Sequence, residues 1–179
     1  ASIQSARLQI YFIDNDEYFP KKVMFHDEKG TFLPNTEERM MFYCKGVIET
    51  VKKLGWSPEI IHCQGWFSSL IPMYIKKIFN EDPLFKDTKV IYNVFDTEYQ
   101  DSINPVIVEK LLYENNLGKS DLDLLRSPNF ENLSKFAISY SDVSCWDDAD
   151  GQITIEVLST MLSPFSYYIN GVIIWQKRV

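Results

Sequence analysis

The chain has 179 residues, of which 45% are apolar and 15% are aromatic, which indicates a globular protein with a sizeable core rather than a disordered chain. Its 25 acidic and 18 basic residues give a net charge of −7, which argues against nonspecific binding to nucleic acid or to an anionic membrane. No apolar run approaches the roughly 20 residues of a membrane helix, and no signal-peptide pattern opens the sequence, so we expect a cytoplasmic protein without a membrane partner.

The N-terminal third is predicted to contain one strand, one long loop and one long helix. Residues 7–13 alternate in polarity and are rich in aromatic side chains, which predicts a strand. Residues 20–34 contain two prolines and a glycine, which is typical of a loop. Apolar residues at helical spacing predict a helix over residues 35–54, and Asn35 and Glu38 have the spacing of a capping box at its start.

Residues 56–79 are predicted to form a strand, a tight turn and a helix. Residues 59–63 are a short apolar run, Gly65 permits a sharp turn after it, and Ser68 or Ser69 can cap the helix that follows. In open α/β sheets such a turn lies at the carboxyl end of a strand, where ligands bind. The turn is therefore the first place to look for a site.

The second half of the chain is predicted to continue the alternation of strands and helices. Residues 89–95 predict a strand parallel to residues 59–63, because a helix lies between them. Residues 148–153 imitate the middle of an EF-hand loop but lack the strongest ligands at both ends, which favours a solvated acidic turn. Helices are predicted over residues 105–115, 130–140 and 153–162, and a last strand over residues 172–175.

A resemblance to a known family starts at the central turn. Residues 62–66, His-Cys-Gln-Gly-Trp, are similar to the His-Ala-His-Asp-Trp motif of bacterial glycogen and starch synthases. Residues 38–39, Glu-Arg, match the start of a family helix, and Asn93 matches the end of a family strand. Residues 133–142 match a Leu-x-Lys-x-Ala-Ile-x-Tyr-Ser-Asp run. Together the resemblance covers residues 7–142.

The resemblance implies a fold and a domain organisation. The expected fold is α/β, a three-layer Rossmann-like domain with a mainly parallel sheet, similar to the N-terminal half of a GT-B glycosyltransferase. Residues 1–179 would form a single domain, an incomplete version of that half, in which residues 143–179 match poorly. The family's opening strand and glycine-rich loop have no counterpart here, so we expect a fragment.

The resemblance also implies a reaction. In the family, glucose passes from ADP-glucose, or UDP-glucose in some members, to an α-1,4-glucan between two Rossmann-like halves. The expected partners are therefore an α-glucan, a nucleotide sugar and a second glycosyltransferase half, without which this chain would be inactive. The nucleotide sugar is a substrate, and neither a cofactor nor a metal is expected. The alternative is a non-catalytic glucan-binding or regulatory domain that kept the fold.

The candidate site is polar, and no catalytic residue is assigned. Asn35 and Gly65 stand where the family has carboxylates, and Gln64 and Tyr92 stand where it has histidines. Gln64 and Trp66 are expected to face an open cleft. The candidate substrate-binding residues are Asn35, His62, Gln64, Gly65, Trp66 and Asn93.

A structural role is the alternative for three of these residues. His62 can be a buried core residue, Trp66 can pack under the following helix, and Asn35 can serve only to cap its helix. His62 and Cys63 are neighbours on a predicted strand, so their side chains point to opposite faces and cannot share a metal ion.

Overall fold

The structure is a computed structural model. It describes residues 2–3, 8–19, 26–27, 29–31, 33–95, 102–114, 117–147, 153–157 and 171–175.

The described strands form one large sheet and one small one. The large sheet has the order β6-β5-β4-β3-β7, and the small sheet pairs β1 with β2 antiparallel. In the large sheet β3, β4 and β5 are parallel, whereas the edge strands β6 and β7 run antiparallel to them. The strands are β1 (Ser2–Ile3), β2 (Leu8–Gln9), β3 (Ile60–Gln64), β4 (Lys89–Phe95), β5 (Val143–Asp147), β6 (Ile153–Val157) and β7 (Gly171–Trp175). The predicted α/β, Rossmann-like class is confirmed, with its parallel strands at the centre of the sheet.

The longest helix, α1 (Thr36–Leu54), confirms the prediction over residues 35–54. Gly55 ends it in a left-handed conformation, and Lys52 and Lys53 complement its negative end. The predicted capping box is wrong. Asn35 is itself left-handed, with φ 60°, and its side chain makes no capping hydrogen bond. The helix is stabilised instead by its buried face, which packs against the short helix that follows β3.

The segment after β3 contains three short helical pieces rather than one helix. A 3-10 turn (Trp66–Ser68) comes first, followed by α2 (Ile71–Met73) and a π-helix (Tyr74–Ile78). In the π-helix the Phe79 amide donates to the Tyr74 carbonyl over 2.9 Å. The predicted helical character is confirmed, but the sequence pattern did not indicate the change of pitch.

The described part of the C-terminal half contains two further α-helices. These are α3 (Ile107–Leu112) and α4 (Phe130–Ser139), separated by a 3-10 helix (Lys119–Arg126). Both α-helices confirm predictions, and Asn129 caps α4 through a bond from the Asn132 amide. The helix predicted over residues 153–162 is wrong, because residues 153–157 form β6. Their alternating β-branched residues suit a strand, and pairing with β5 decides the outcome.

A strand is predicted near each end of the chain. The predicted last strand is confirmed as β7. The strand predicted over residues 7–13 is shorter than expected, since among its described residues, 8–13, only Leu8–Gln9 is paired. The acidic turn predicted over residues 148–153 lies outside the described residues, except for the first residue of β6.

The core lies between one face of the sheet and the helices. Ile61 and Cys63 of β3 are buried and lie in register with the buried Val90 and Tyr92 of β4. Residues of α1 and α4 complete this core, among them Met40, Cys44, Ile48, Leu133 and Phe136. None of the helices in the described part of the chain is long and apolar enough to cross a membrane.

Candidate functional site

The carboxyl ends of β3 and β4 bring four of the six candidate residues together. Gln64 is in register with Asn93, and both lie near the ends of their strands. The Gly65 amide then donates to the Asn93 carbonyl over 3.0 Å, which extends the pairing by one bond into the turn. Trp66 follows directly as the first residue of the 3-10 turn. The turn expected from the sequence is therefore present, and it brings these four residues together where two parallel strands end.

Gly65 makes this turn possible. Its backbone has φ 74° and ψ 164°, a combination that is essentially restricted to glycine. In this conformation its carbonyl accepts bonds from the Ser68 amide, at 3.1 Å, and from the Ser68 hydroxyl, at 2.8 Å. Ser68 was expected to cap a helix, but it closes the turn on Gly65 instead. Both polar groups of the Gly65 backbone are thus engaged.

The expectation that Gln64 and Trp66 face an open cleft is wrong for their side chains. Trp66 is only 6% exposed and Gln64 only 2% exposed. The indole packs edge-on against Phe67, with ring centroids 5.4 Å apart. The 3-10 turn directs the indole inward, which is the packing alternative recognised in the sequence. Any contact of Trp66 with a ligand would require the surroundings of the turn to open.

His62 lies on the face of β3 opposite to Cys63 and is half-buried. Its Nε2 atom is buried and has no hydrogen-bond partner within the described residues. Burial lowers the pKa of His62, so the imidazole is neutral at pH 7. Burial also raises the pKa of the Cys63 thiol, which is therefore protonated and a poor nucleophile.

Asn93 offers a second buried polar atom on the same face of the sheet as His62. Its Oδ1 atom is buried and, in the described part of the chain, accepts no hydrogen bond. His62 pairs in register with Ile91, two residues before Asn93, so His62 and Asn93 are diagonal neighbours on β3 and β4. A neutral imidazole can donate and an amide oxygen can accept, so the two side chains offer complementary groups.

Asn35 is exposed and lies immediately before the start of α1. The two carboxylates that follow it in the sequence, Glu37 and Glu38, form ion pairs with a lysine of another helix. Lys110 of α3 contacts Glu37 at 2.9 Å and Glu38 at 2.7 Å, so two carboxylates surround one ammonium group. Within the described residues, no hydrogen bond links Asn35 to the other candidates.

Cys44 supports the site in a way that sequence reasoning missed. Its Sγ donates to the Phe67 carbonyl over 3.3 Å, which ties the 3-10 turn after Gly65 to α1. The sequence indicates Cys44 only as an apolar position of the helix. No signal in the sequence pairs it with residue 67, because the contact depends on how α1 packs against the turn.

The family assignment agrees with this architecture. The family model for the starch synthase catalytic domain matches residues 1–145. The chain belongs to the starch synthase catalytic domain family. This match confirms the recognition made on the central turn and on residues 133–142, and the central parallel strands are consistent with the Rossmann-like glycosyltransferase fold expected of the family.

Members of the starch synthase family in several bacteria resemble the chain. A glycogen synthase of Chlorobium luteolum is 35% identical over 114 residues, covering 63% of this chain and 23% of the relative. One of Geotalea uraniireducens is 30% identical over 138 residues, covering 76% and 28%. One of Chlorobium phaeovibrioides is 29% identical over 144 residues, covering 79% and 28%. The chain thus spans about a quarter of the length of the curated relatives it matches.

Proposed function

We propose that the chain is the glucan-binding part of a glycogen synthase catalytic domain, which transfers glucose from ADP-glucose to an α-1,4-glucan. The observation that carries this proposal is the family match over residues 1–145, with four candidate residues gathered at one end of β3 and β4. The relatives are glycogen synthases by name, and the chain aligns with about a quarter of their length. The cytoplasmic location expected from the sequence belongs to the same proposal.

The chemistry of the candidate residues favours a neutral sugar over a diphosphate. His62 is neutral because burial lowers its pKa, and the other five candidates carry no ionisable side chain. A sugar hydroxyl both donates and accepts, so it suits the imidazole Nε2 of His62 and the amide oxygen of Asn93. A diphosphate is instead bound by cationic side chains or helix N-termini. The nucleotide side of the reaction is therefore assigned to another part of the enzyme.

The 179-residue chain by itself is expected to be inactive. Glucosyl transfer places developing charge on the leaving diphosphate, and preorganised groups that stabilise such charge are usually the largest catalytic contribution. The candidate residues supply none of this charge. Calorimetry with maltoheptaose tests glucan binding, and release of ADP from ADP-glucose with glycogen present tests transfer. We expect glucan binding without glucose transfer. ADP release above the buffer control would contradict the expected inactivity of the chain.

A non-catalytic glucan-binding domain is the second candidate. It is favoured by the conformation of Gly65, which does not accommodate the carboxylate of the family motif, and by the amide at Asn35. Fusing the chain to the C-terminal half of a related glycogen synthase separates the two functions. Glucosyl transfer by the fusion, with ADP-glucose and UDP-glucose compared, favours the catalytic function. Glucan binding without transfer favours the non-catalytic one.

A further inference from the structure

We infer that Gly65 is a positioning residue, whose glycine-only backbone conformation fixes the side chains of the buried Gln64 and of Asn93 near the ends of β3 and β4, and so places Asn93 for sugar binding. This inference rests on the proposed function for the ligand, but its structural part can be measured without one. It goes beyond the interpretation of the sequence, in which Gly65 permits the turn, is a candidate substrate-binding residue and stands where the family has a carboxylate.

The first step of the argument is the bond between Gly65 and Asn93. Because Gly65 turns back at φ 74°, its amide reaches the Asn93 carbonyl at 3.0 Å. This bond follows the last register pair of the two strands, Gln64 with Asn93. The backbone of Asn93 is therefore held at the point where β4 nears its end. The orientation of its amide side chain depends on that backbone.

The second step is the closure of the turn by Ser68. Its amide and hydroxyl both donate to the Gly65 carbonyl, at 3.1 Å and 2.8 Å. The Gly65 amide is thus bonded to β4, and the Gly65 carbonyl is bonded to the 3-10 turn. A residue with a Cβ would move φ toward negative values, because this region is essentially closed to L-residues. Such a movement would break one or both sets of bonds.

A matched control exists at the end of α1. Gly55 also has a positive φ, 65°, but its ψ of 27° places it in the ordinary left-handed helical region. A Cβ added there would meet nothing within 4 Å, and Gly55 belongs to the helix end rather than to the strand ends. Gly55→Ala therefore introduces backbone strain without disturbing the turn. Asparagine tolerates the left-handed region, so Gly55→Asn should be nearly neutral, whereas Gly65→Asn should not.

The experiment compares Gly65→Ala with Gly55→Ala in the full chain. The readouts are the side-chain amide resonances of Asn93 and Gln64 by NMR, and the Kd for maltoheptaose by calorimetry. Gly65→Ala is expected to shift both pairs of resonances and to weaken binding about tenfold, since small misplacements of binding groups have large effects. Gly55→Ala should lower the Tm while leaving the resonances and the Kd unchanged.

Unchanged resonances in Gly65→Ala, or equal shifts in both variants, would overturn the inference. If the Gly65→Ala chain does not fold, Ser68→Ala decides, because it removes one bond to the Gly65 carbonyl without backbone strain. It should shift the same resonances in the same direction, and unshifted resonances would overturn the inference. If the unmodified chain does not bind maltoheptaose, the proposed glucan function fails, and the NMR comparison still decides whether Gly65 positions the two amides.

Discussion

Lys76 of the π-helix lies 2.6 Å from the carboxylate of Asp142, measured from Nζ to Oδ2. The same Oδ2 atom accepts a hydrogen bond from the Val90 amide at 2.8 Å, and the Lys76 ammonium also donates to the Thr88 carbonyl at 3.0 Å. The pair therefore joins the helical segment that follows the candidate site to the beginnings of β4 and β5. Only 13% of the Asp142 side chain is exposed, so this contact is shielded from solvent.

Asp142→Asn should lower the free energy of unfolding at pH 7 by about 1–2 kcal/mol, because Lys76 loses its partner while the amide can still accept from Val90. Urea denaturation measures the change. Glu131→Gln is the control, since it alters an exposed pair with Lys135 on the surface of α4 and should have little effect.

The contribution of Asp142 should also depend on pH. Burial alone would raise its pKa, but the hydrogen bonds from Lys76 and Val90 outweigh burial and lower it. The stabilisation is therefore fully present above the unfolded pKa of about 3.9 and is lost as the pH falls through the folded value. The difference between the parent chain and Asp142→Asn should be constant from pH 5 to 8 and shrink below about pH 4. A difference that grows on acidification would contradict this assignment.

Lys110→Ala should destabilise the chain by about 1–3 kcal/mol, because it leaves the Glu37 carboxylate buried without a partner. The Glu37 side chain is 6% exposed, whereas Glu38, which contacts the same ammonium, is 37% exposed. Glu38→Gln should therefore cost only about 0–1 kcal/mol. Thermal or urea unfolding of the two variants gives the comparison. Equal effects would mean that burial of Glu37 is unimportant.

The elements predicted correctly from the sequence are those whose periodicity agrees with their packing. The apolar residues of α1 repeat at helical spacing, and those of β4 form a run typical of a buried strand. Each element therefore buries its apolar side chains in the predicted conformation. Residues 153–157 were assigned to a helix because a short apolar run does not distinguish helix from strand. Pairing with β5, a contact distant in sequence, decides for the strand.

The turn that carries the candidate residues was predictable from the sequence, but the burial of its side chains was not. Gly65 after a strand indicates a turn, and the turn is there. The burial of Trp66 could not be read from the sequence, because it depends on a 3-10 turn that directs the ring against Phe67. Asn35 has the sequence of a helix cap, yet its left-handed backbone removes the geometry that capping requires. At Trp66 and at Asn35 the local backbone conformation, and not the residue type alone, determines what the side chain does.

Gly65→Asp should destabilise the chain by about 1–3 kcal/mol, because φ 74° with ψ 164° is strained for any residue with a Cβ. Asn35→Asp should change stability by no more than about 0.5 kcal/mol, since aspartate tolerates the left-handed region and the position is exposed. Urea denaturation of both variants checks the contrast. A stable Gly65→Asp variant would show that the turn can change its conformation. If the contrast holds, Asn35→Asp is the cleaner variant for testing whether a restored carboxylate raises activity in a fusion enzyme.

His62 should titrate below the ordinary histidine pKa of about 6.5, because burial disfavours the charged imidazole. The chain has two histidines, so comparison with His62→Gln assigns the two C2–H resonances in an NMR titration. Below about pH 6.5 the unfolded chain binds a proton at residue 62 that the folded chain does not bind. Stability should therefore fall as the pH drops from 6.5 toward the folded pKa, and more steeply for the parent chain than for His62→Gln. A titration midpoint at or above 6.5, or equal pH dependence in the two proteins, would show that burial does not lower the pKa of His62, and the argument for a neutral sugar site that rests on this shift would then fail.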